Sequence, residues 1–194
     1  ASAITVSPHT ANTIFIGTSA GKIYKISNAN TAPAKTVIPV TGVPSAYISC
    51  IAVGSDDDEL VVTISSYGED HVLYTSNGGT SWTDKSDNLT DMPVYWALIN
   101  PNNSDEVLIA TEYGVWSTTS LTGTPAWAIT STGLANVRCD MIRYRASDNT
   151  AVVATHGRGV FTANVFNTTS DWISATNDGD WNNAANWDLG REPI

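Results

Sequence analysis

Positive charge is scarce in this sequence. Lys and Arg number 9 in 194 residues against 19 Asp and Glu, for a formal charge of −10. Nucleic-acid binding is built on clustered Lys and Arg, and so is attraction to anionic membrane surfaces. Neither partner is expected here. Cysteine is also rare: Cys50 and Cys139 are the two, with no CxxC and no Cys/His cluster, so no metal or other cofactor is expected. No apolar run approaches the ~18 residues of a membrane-spanning helix. The opening "ASAITVSP" has no charged segment followed by an apolar one. A mature exported chain would have lost such a leader, so this decides nothing. Segments rich in Ala, Leu, Glu and Lys at helical spacing are missing too, and almost no helix is expected.

Thr, Ser, Asn, Val, Ile and Trp fill the space, which is strand and turn chemistry. Four segments share one form: an apolar strand, a turn, a second apolar strand, a glycine, then a third strand. The second strands are "NTIFIGTSAG", "ELVVTISSYG", "EVLIATEYG" and "AVVATHGRG". Their closing glycines, Gly21, Gly68, Gly114 and Gly159, are spaced 47, 46 and 45 residues apart. The first strands "AITVSP", "ISCIAVGS", "VYWALINP" and "DMIRYRA" keep the same register, as do the third strands "KIYKIS", "HVLYTS", "GVWSTTS" and "GVFTANV". Fourth strands are expected at "KTVIPV", "SWTDKS" and "AWAITS".

A period near 46 with four short strands per repeat is the pattern of a β-propeller blade. Runs that are apolar on both faces suit sheets covered on both sides by neighbouring blades. The expected fold is all-β: a propeller of about four blades, each of four antiparallel strands, forming a ring alone or part of a larger one. A β-sandwich is the competing architecture, but it does not require glycines at a constant long spacing.

The run "TSNGGTSW", Thr75 to Trp82, reads either as a turn or as a ligand loop. Asn-Gly is turn chemistry, since both residues tolerate positive φ. It resembles the Asp-box of sialidase-type (BNR) propellers, with Thr75, Asn77, Gly79 and Trp82 in the four signature places. "INPNNSDEVLIATEYGVWSTTS" and "VVATHGRGVFTANV" are similar to blades of the sortilin and xyloglucanase-like branch of that superfamily. The resemblance covers roughly residues 3 to 166. It implies that the box is a structural turn between third and fourth strands, with Trp82 packed between blades.

Alternating strand directions place the loops between second and third strands, and those between blades, on one face at the channel mouth. Propeller ligand sites normally lie there. That face is expected to carry Tyr47, Tyr67, Tyr95, Trp96 and Tyr113, with Arg138, Asp140, His156 and Arg158. Glu69, Asp70, His71 and Glu112 share it. Aromatics with a few charges suit a glycan or a protein partner; interblade packing is the plainer reading of each. No catalytic residue is assigned. A sialidase-like enzyme needs an arginine cluster, whereas these arginines crowd the last third of the chain. A xyloglucanase-like one needs two carboxylates, and Asp140 is the only acid placed near an inner strand.

Asp56 to Glu59 is either a calcium-binding cluster or a solvated hairpin tip. His9, His71 and His156 fall in different blades and are not expected to share a metal. Cys50 and Cys139 fall on the inner strands of non-adjacent blades and are expected as buried free thiols.

Residues 167–194 shift to Asn, Asp and Trp. "GDWNNAANWDLGREP" resembles the opening of repeat modules in large secreted and surface proteins of Bacteroidota. Residues 1–166 are therefore expected to be blades, and 167–194 a linker and the start of a following Trp/Asn-rich module. The fourth strand of the last blade comes either from the N-terminal end of a ring or from Trp172-Ile173. This resemblance implies an exported or surface-attached bacterial protein, carried by type IX secretion. A non-catalytic, adhesin-like recognition or spacer domain, joined to neighbouring domains of a longer chain, is the expected function. The alternative is the C-terminal part of a glycoside hydrolase propeller whose catalytic residues lie upstream.

Overall fold

The structure is a computed structural model that describes residues 1–130, 133, 134, 136–166 and 183. It contains fifteen strands in four antiparallel sheets and, among the described residues, no helix. Blade 1 holds β1 (Ala3–Val6), β2 (Ile14–Gly17), β3 (Ile23–Ser27) and β4 (Ala34–Ile38). Blade 2 holds β5 (Ile48–Val53), β6 (Leu60–Ile64), β7 (Val72–Thr75) and β8 (Thr83–Asp84). Blade 3 holds β9 (Val94–Asn100), β10 (Asn103–Thr111), β11 (Gly114–Thr118) and β12 (Ala128–Ile129). Blade 4 holds β13 (Cys139–Arg145), β14 (Thr150–Thr155) and β15 (Gly159–Asn164). Within each sheet the strands pair in chain order, the topology of a propeller blade. The outer strands of blades 2 and 3 are only two residues long, shorter than the apolar runs suggest, and β10 begins earlier, at Asn103.

Two-residue periodicity builds the cores between blades. In β6, Leu60, Val62 and Ile64 join Phe15, Ile23 and Ile38 of blade 1 in one apolar cluster. Val61, one residue out of phase, instead joins Val107, Ile109 and Trp127 of blade 3. All five residues of β6 are buried for this reason. The same split places Val107 and Ile109 of β10 against blade 2, and Leu108 and Ala110 against blade 4.

The four repeat glycines have φ of +71°, +77°, +84° and +82°. A left-handed turn between second and third strands therefore sets the spacing seen in the sequence. At Gly21 a Cβ would also lie 2.1 Å from the Pro44 carbonyl oxygen of the next blade's approach. In "TSNGGTSW" the positive-φ residues are Gly78 and Gly79, at +65° and +85°. Asn77 does not adopt positive φ; its side chain is used instead.

The inner strands pack in the order β1, β5, β9, β13, and among the described residues no comparable packing joins β13 back to β1. The molecule is an open arc of four blades with a concave inner wall, not a closed ring. The domain boundary expected at 166 to 167 meets the limit of the described residues; of the tail only Asn183 is described.

Candidate functional site at the channel mouth

The inner strands all start at the same end of the arc. There Ser2, Tyr47, Ser49, Ser65, Tyr95, Trp96, Arg138 and Asp140 line an open depression of about 490 Å³. Blade-joining segments and β2–β3-type turns meet at this end. Ser65 N donates to Tyr47 O, Glu112 N to Pro93 O, Gly114 N to Val137 O and His156 N to Arg138 O. These pairs hold the loops against the inner-strand starts of their own or the next blade.

Five of the sequence-derived candidates, Tyr47, Tyr95, Trp96, Arg138 and Asp140, line the depression together. The Arg138 guanidinium lies over the Tyr95 ring, 4.1 Å from its centroid. Its Nε donates to Asp140 Oδ1 at 2.7 Å, and that bond raises the Arg138 pKa above its ordinary value. Tyr95 OH donates to Glu112 Oε2 at 2.5 Å. Burial and the Glu112 carboxylate push the Tyr95 phenol up to about 12. Arg143 stacks over Trp96 at 4.8 Å. Two aromatic rings from blade 3 are thus each covered by a cation from blade 4.

Tyr113 and His156 stand at the margin. Asn136 Nδ2 donates to the Tyr113 hydroxyl at 2.5 Å, and His156 Nδ1 lies 3.9 Å from Asp140 Oδ2. Tyr67, at 64% exposure, and Arg158 are exposed on the β6–β7 and β14–β15 turns, outside the lining of the depression. His71 does not belong to the face. It is 3% exposed, Met92 N donates to its Nε2 at 3.2 Å and Asp91 Oδ1 lies 3.1 Å from the same nitrogen. Its ring caps the start of β7 instead of facing solvent.

Sequence reasoning missed Ser2, Ser49, Ser65 and the stacking role of Arg143. Ser49 Oγ donates to Val94 O at 2.6 Å and so joins the inner-strand starts of blades 2 and 3. The carboxylates in this arrangement, Glu112 and Asp140, are engaged by Tyr95 and Arg138 respectively.

The Asp-box lies away from this mouth, between β7 and β8. Thr75 Oγ1 donates to Asn77 Oδ1 at 2.9 Å and accepts from Gly79 N at 3.1 Å. Asn77 Oδ1 also accepts from Ser81 N at 3.0 Å. Trp82 packs against the cluster between blades 1 and 2, and its Nε1 donates to Pro39 O at 2.8 Å. Every polar atom named here is spent within the turn or on the preceding blade.

The acidic run does not converge on one point. Asp56 Oδ1 accepts from Asp58 N and Glu59 N, Asp57 bonds Ser7 and pairs with Lys25 at 3.2 Å, and Glu59 turns inward to Tyr74 and Ser104. Among the described residues no three His, Cys, Asp or Glu side chains gather to hold a metal. Cys50 and Cys139 are buried and unpaired, and burial pushes their thiols up to about 12 and about 11.

No protein-family model matches this sequence, and no curated protein sequence matches it. Solved structures match by fold. A GH74 enzyme from Niastella koreensis superposes with a TM-score of 0.63 at 16% identity, over 84% of this chain and 28% of that one. The β-propeller domain of Myceliophteria thermophila Cps50 (Swd1) gives 0.59 and 14%, over 83% of this chain and 51% of that one. The extracellular domain of a hybrid two-component system from B. thetaiotaomicron gives 0.59 and 17%, over 84% and 20%. The fold is that of a β-propeller, and the chain spans about a quarter of the length of the GH74 enzyme.

Proposed function

We propose that this chain is a four-blade sector of a larger propeller in an exported bacterial protein, and that it binds a glycan or a protein at the channel mouth without catalysing a reaction. The observation that carries the reading is the convergence of Tyr47, Tyr95, Trp96, Arg138 and Asp140 in one open depression. Aromatic faces bind the apolar face of a sugar ring or a peptide side chain, and the Arg138–Asp140 pair offers directional hydrogen bonds beside them. Export is supported by the fold likeness to an extracellular sensor domain and by the tail's resemblance to Bacteroidota surface modules. Type IX secretion, an adhesin-like role and BNR ancestry belong to the same proposal.

The test is affinity electrophoresis of the 194-residue chain through gels containing xyloglucan, other β-glucans or mucin, with reducing-end release assayed in parallel. The expected result is retardation by one polysaccharide, weakened by Trp96→Ala and Tyr47→Ala, with no release of reducing ends. A chain that passes every gel unretarded removes the glycan reading. Failure to capture any protein from the source organism's surface fraction then removes the other.

A second reading is favoured by one observation, the placement of Asp140 at an inner-strand start beside Arg138 and His156. In a glycoside hydrolase such an acid would work with a second carboxylate on blades outside this chain. Asp140→Asn would then abolish polysaccharide cleavage by the whole protein.

A further inference from the structure

Three interblade cores are present, and two of them are completed by a tryptophan that precedes an outer strand. Trp82, before β8, packs into the core between blades 1 and 2. Trp127, before β12, is 3% exposed in the core between blades 2 and 3. Each indole Nε1 donates at 2.8 Å to the carbonyl of the residue just after the preceding blade's outer strand. That residue is Pro39 for Trp82 and Lys85 for Trp127. Each tryptophan is thus a wedge driven backward into the previous interface.

The third core, between blades 3 and 4, has no such residue among its described members. It holds instead an apolar cavity of about 110 Å³, lined by Leu108, Val115, Ile142, Val153, Phe161 and their neighbours. Its rim includes Thr130, the residue just after β12 and so the positional equivalent of Pro39 and Lys85. A cavity of ~150 Å³ with such walls takes a benzene ring, so this one is of the right order for part of an indole. Beside it β15 has no strand on its outer side among the described residues. An unpaired edge is a template for one more strand.

Trp82 and Trp127 are 45 residues apart, and 45 residues further on the sequence has Trp172. We propose that Trp172 fills this cavity with its indole directed to the Thr130 carbonyl, and that Ile173-Ser174 pairs with β15 as the fourth strand of blade 4. The register follows from the other blades. Tyr74 faces Thr83 and Ser117 faces Ala128, so Thr162 faces Ile173 and Phe161 faces Ser174. Blade 4 is then completed by its own chain, and the arc consists of four whole blades.

Crosslinking of the full 194-residue chain tests this. Opposed residues in an antiparallel pair have Cα atoms ~5.5 Å apart, within the disulfide range. Thr162→Cys combined with Ile173→Cys should form an intramolecular disulfide under mild oxidation. Thr162→Cys with Ala175→Cys, a diagonal pair ~7–8 Å apart, should crosslink at least tenfold more slowly. Buried Cys50 and Cys139 stay out of the exchange. Trp172→Ala should lower Tm by about 6–15 °C, and Trp181→Ala should leave it within a degree. A disulfide that forms only between chains gives the edge to another molecule and overturns the proposal. So does the absence of any disulfide in folded protein. If Trp172→Ala fails to fold, the crosslinking pair, which keeps the tryptophan, still decides.

Discussion

Glu59 ties three segments together through one carboxylate. Its Oε2 accepts from Ser55 N at 2.6 Å and from Ser104 Oγ of blade 3 at 2.8 Å, and its Oε1 accepts from Tyr74 OH at 2.8 Å. Burial opposes ionisation of this group, but the hydrogen bonds outweigh it and hold its pKa below the ordinary 4.5. A depressed folded pKa means stability that is present above the ordinary value and lost as pH falls through the folded one. Glu59→Gln should therefore cost about 1–3 kcal/mol at neutral pH, and the gap from the native chain should narrow as acid protonates Glu59 in both native states. Urea unfolding at pH 7 and at steps down to pH 3 measures it; a gap that stays constant with pH would mean the charge plays no part. Tyr95 has the opposite sign. Its phenol, raised to about 12, is stabilised as the neutral form, so that contribution is complete below the ordinary 10 and fades as pH rises through about 12. Alkaline spectrophotometric titration of Tyr95→Phe should lack one late-ionising phenol, and loss of an early one instead would show that Glu112 does not hold the hydroxyl.

At the scale of the element, the Asp-box turn shows why a glycine and a tryptophan travel together. Gly79 has a φ of +85°, and a Cβ there would lie 2.3 Å from Ile38 Cγ2 and 3.0 Å from Pro39 O, the carbonyl that Trp82 bonds. Gly79→Ala thus combines left-handed strain with a clash and should cost about 2–5 kcal/mol. Gly42, at +89° with nothing within 4 Å, isolates the strain alone, about 1–2 kcal/mol. Chemical denaturation of the two variants compares them, and equal losses would discard the packing part. The repeat was legible in the sequence because its glycines need positive φ and its strands are apolar on both faces. Trp127 was harder to place, since "TGTPAW" has lost the box residues while the indole keeps its bond to the previous blade. The mouth was legible at Tyr95, Trp96, Arg138 and Asp140 because they open inner strands. Ser49 and Ser65 leave no pattern, and the stacking of Arg143 depends on how two blades rotate against each other, which spacing does not encode. His71 was misplaced because a polar residue at a strand start reads like a loop residue until its partners are seen.

For the whole molecule, the open arc has a consequence at its first blade. Registered pairs put Ile4 with Ile16, Val6 with Ile14 and Tyr24 with Val37 on one face of the sheet. The other face packs on blade 2. Ile4, Val6 and Val37 are 62%, 67% and 58% exposed. Soluble monomers rarely leave more than a few hundred Å² of contiguous apolar surface uncovered. The three interfaces already formed show what covers such a face here: another blade of the same construction. In a larger propeller that blade belongs to the same ring. In the 194-residue chain studied alone, its place is open to a second copy, so the chain should self-associate. Sedimentation velocity over a hundredfold concentration range should show a weight-average mass that rises with concentration. Val6→Lys combined with Val37→Lys places two charges on the face without touching the blade 1–blade 2 core, and should return the chain to 20.6 kDa at every concentration. A native chain that stays monomeric throughout and binds no more hydrophobic dye than the double variant would mean that the face is already covered, and the blade-sector reading would lose its main physical support.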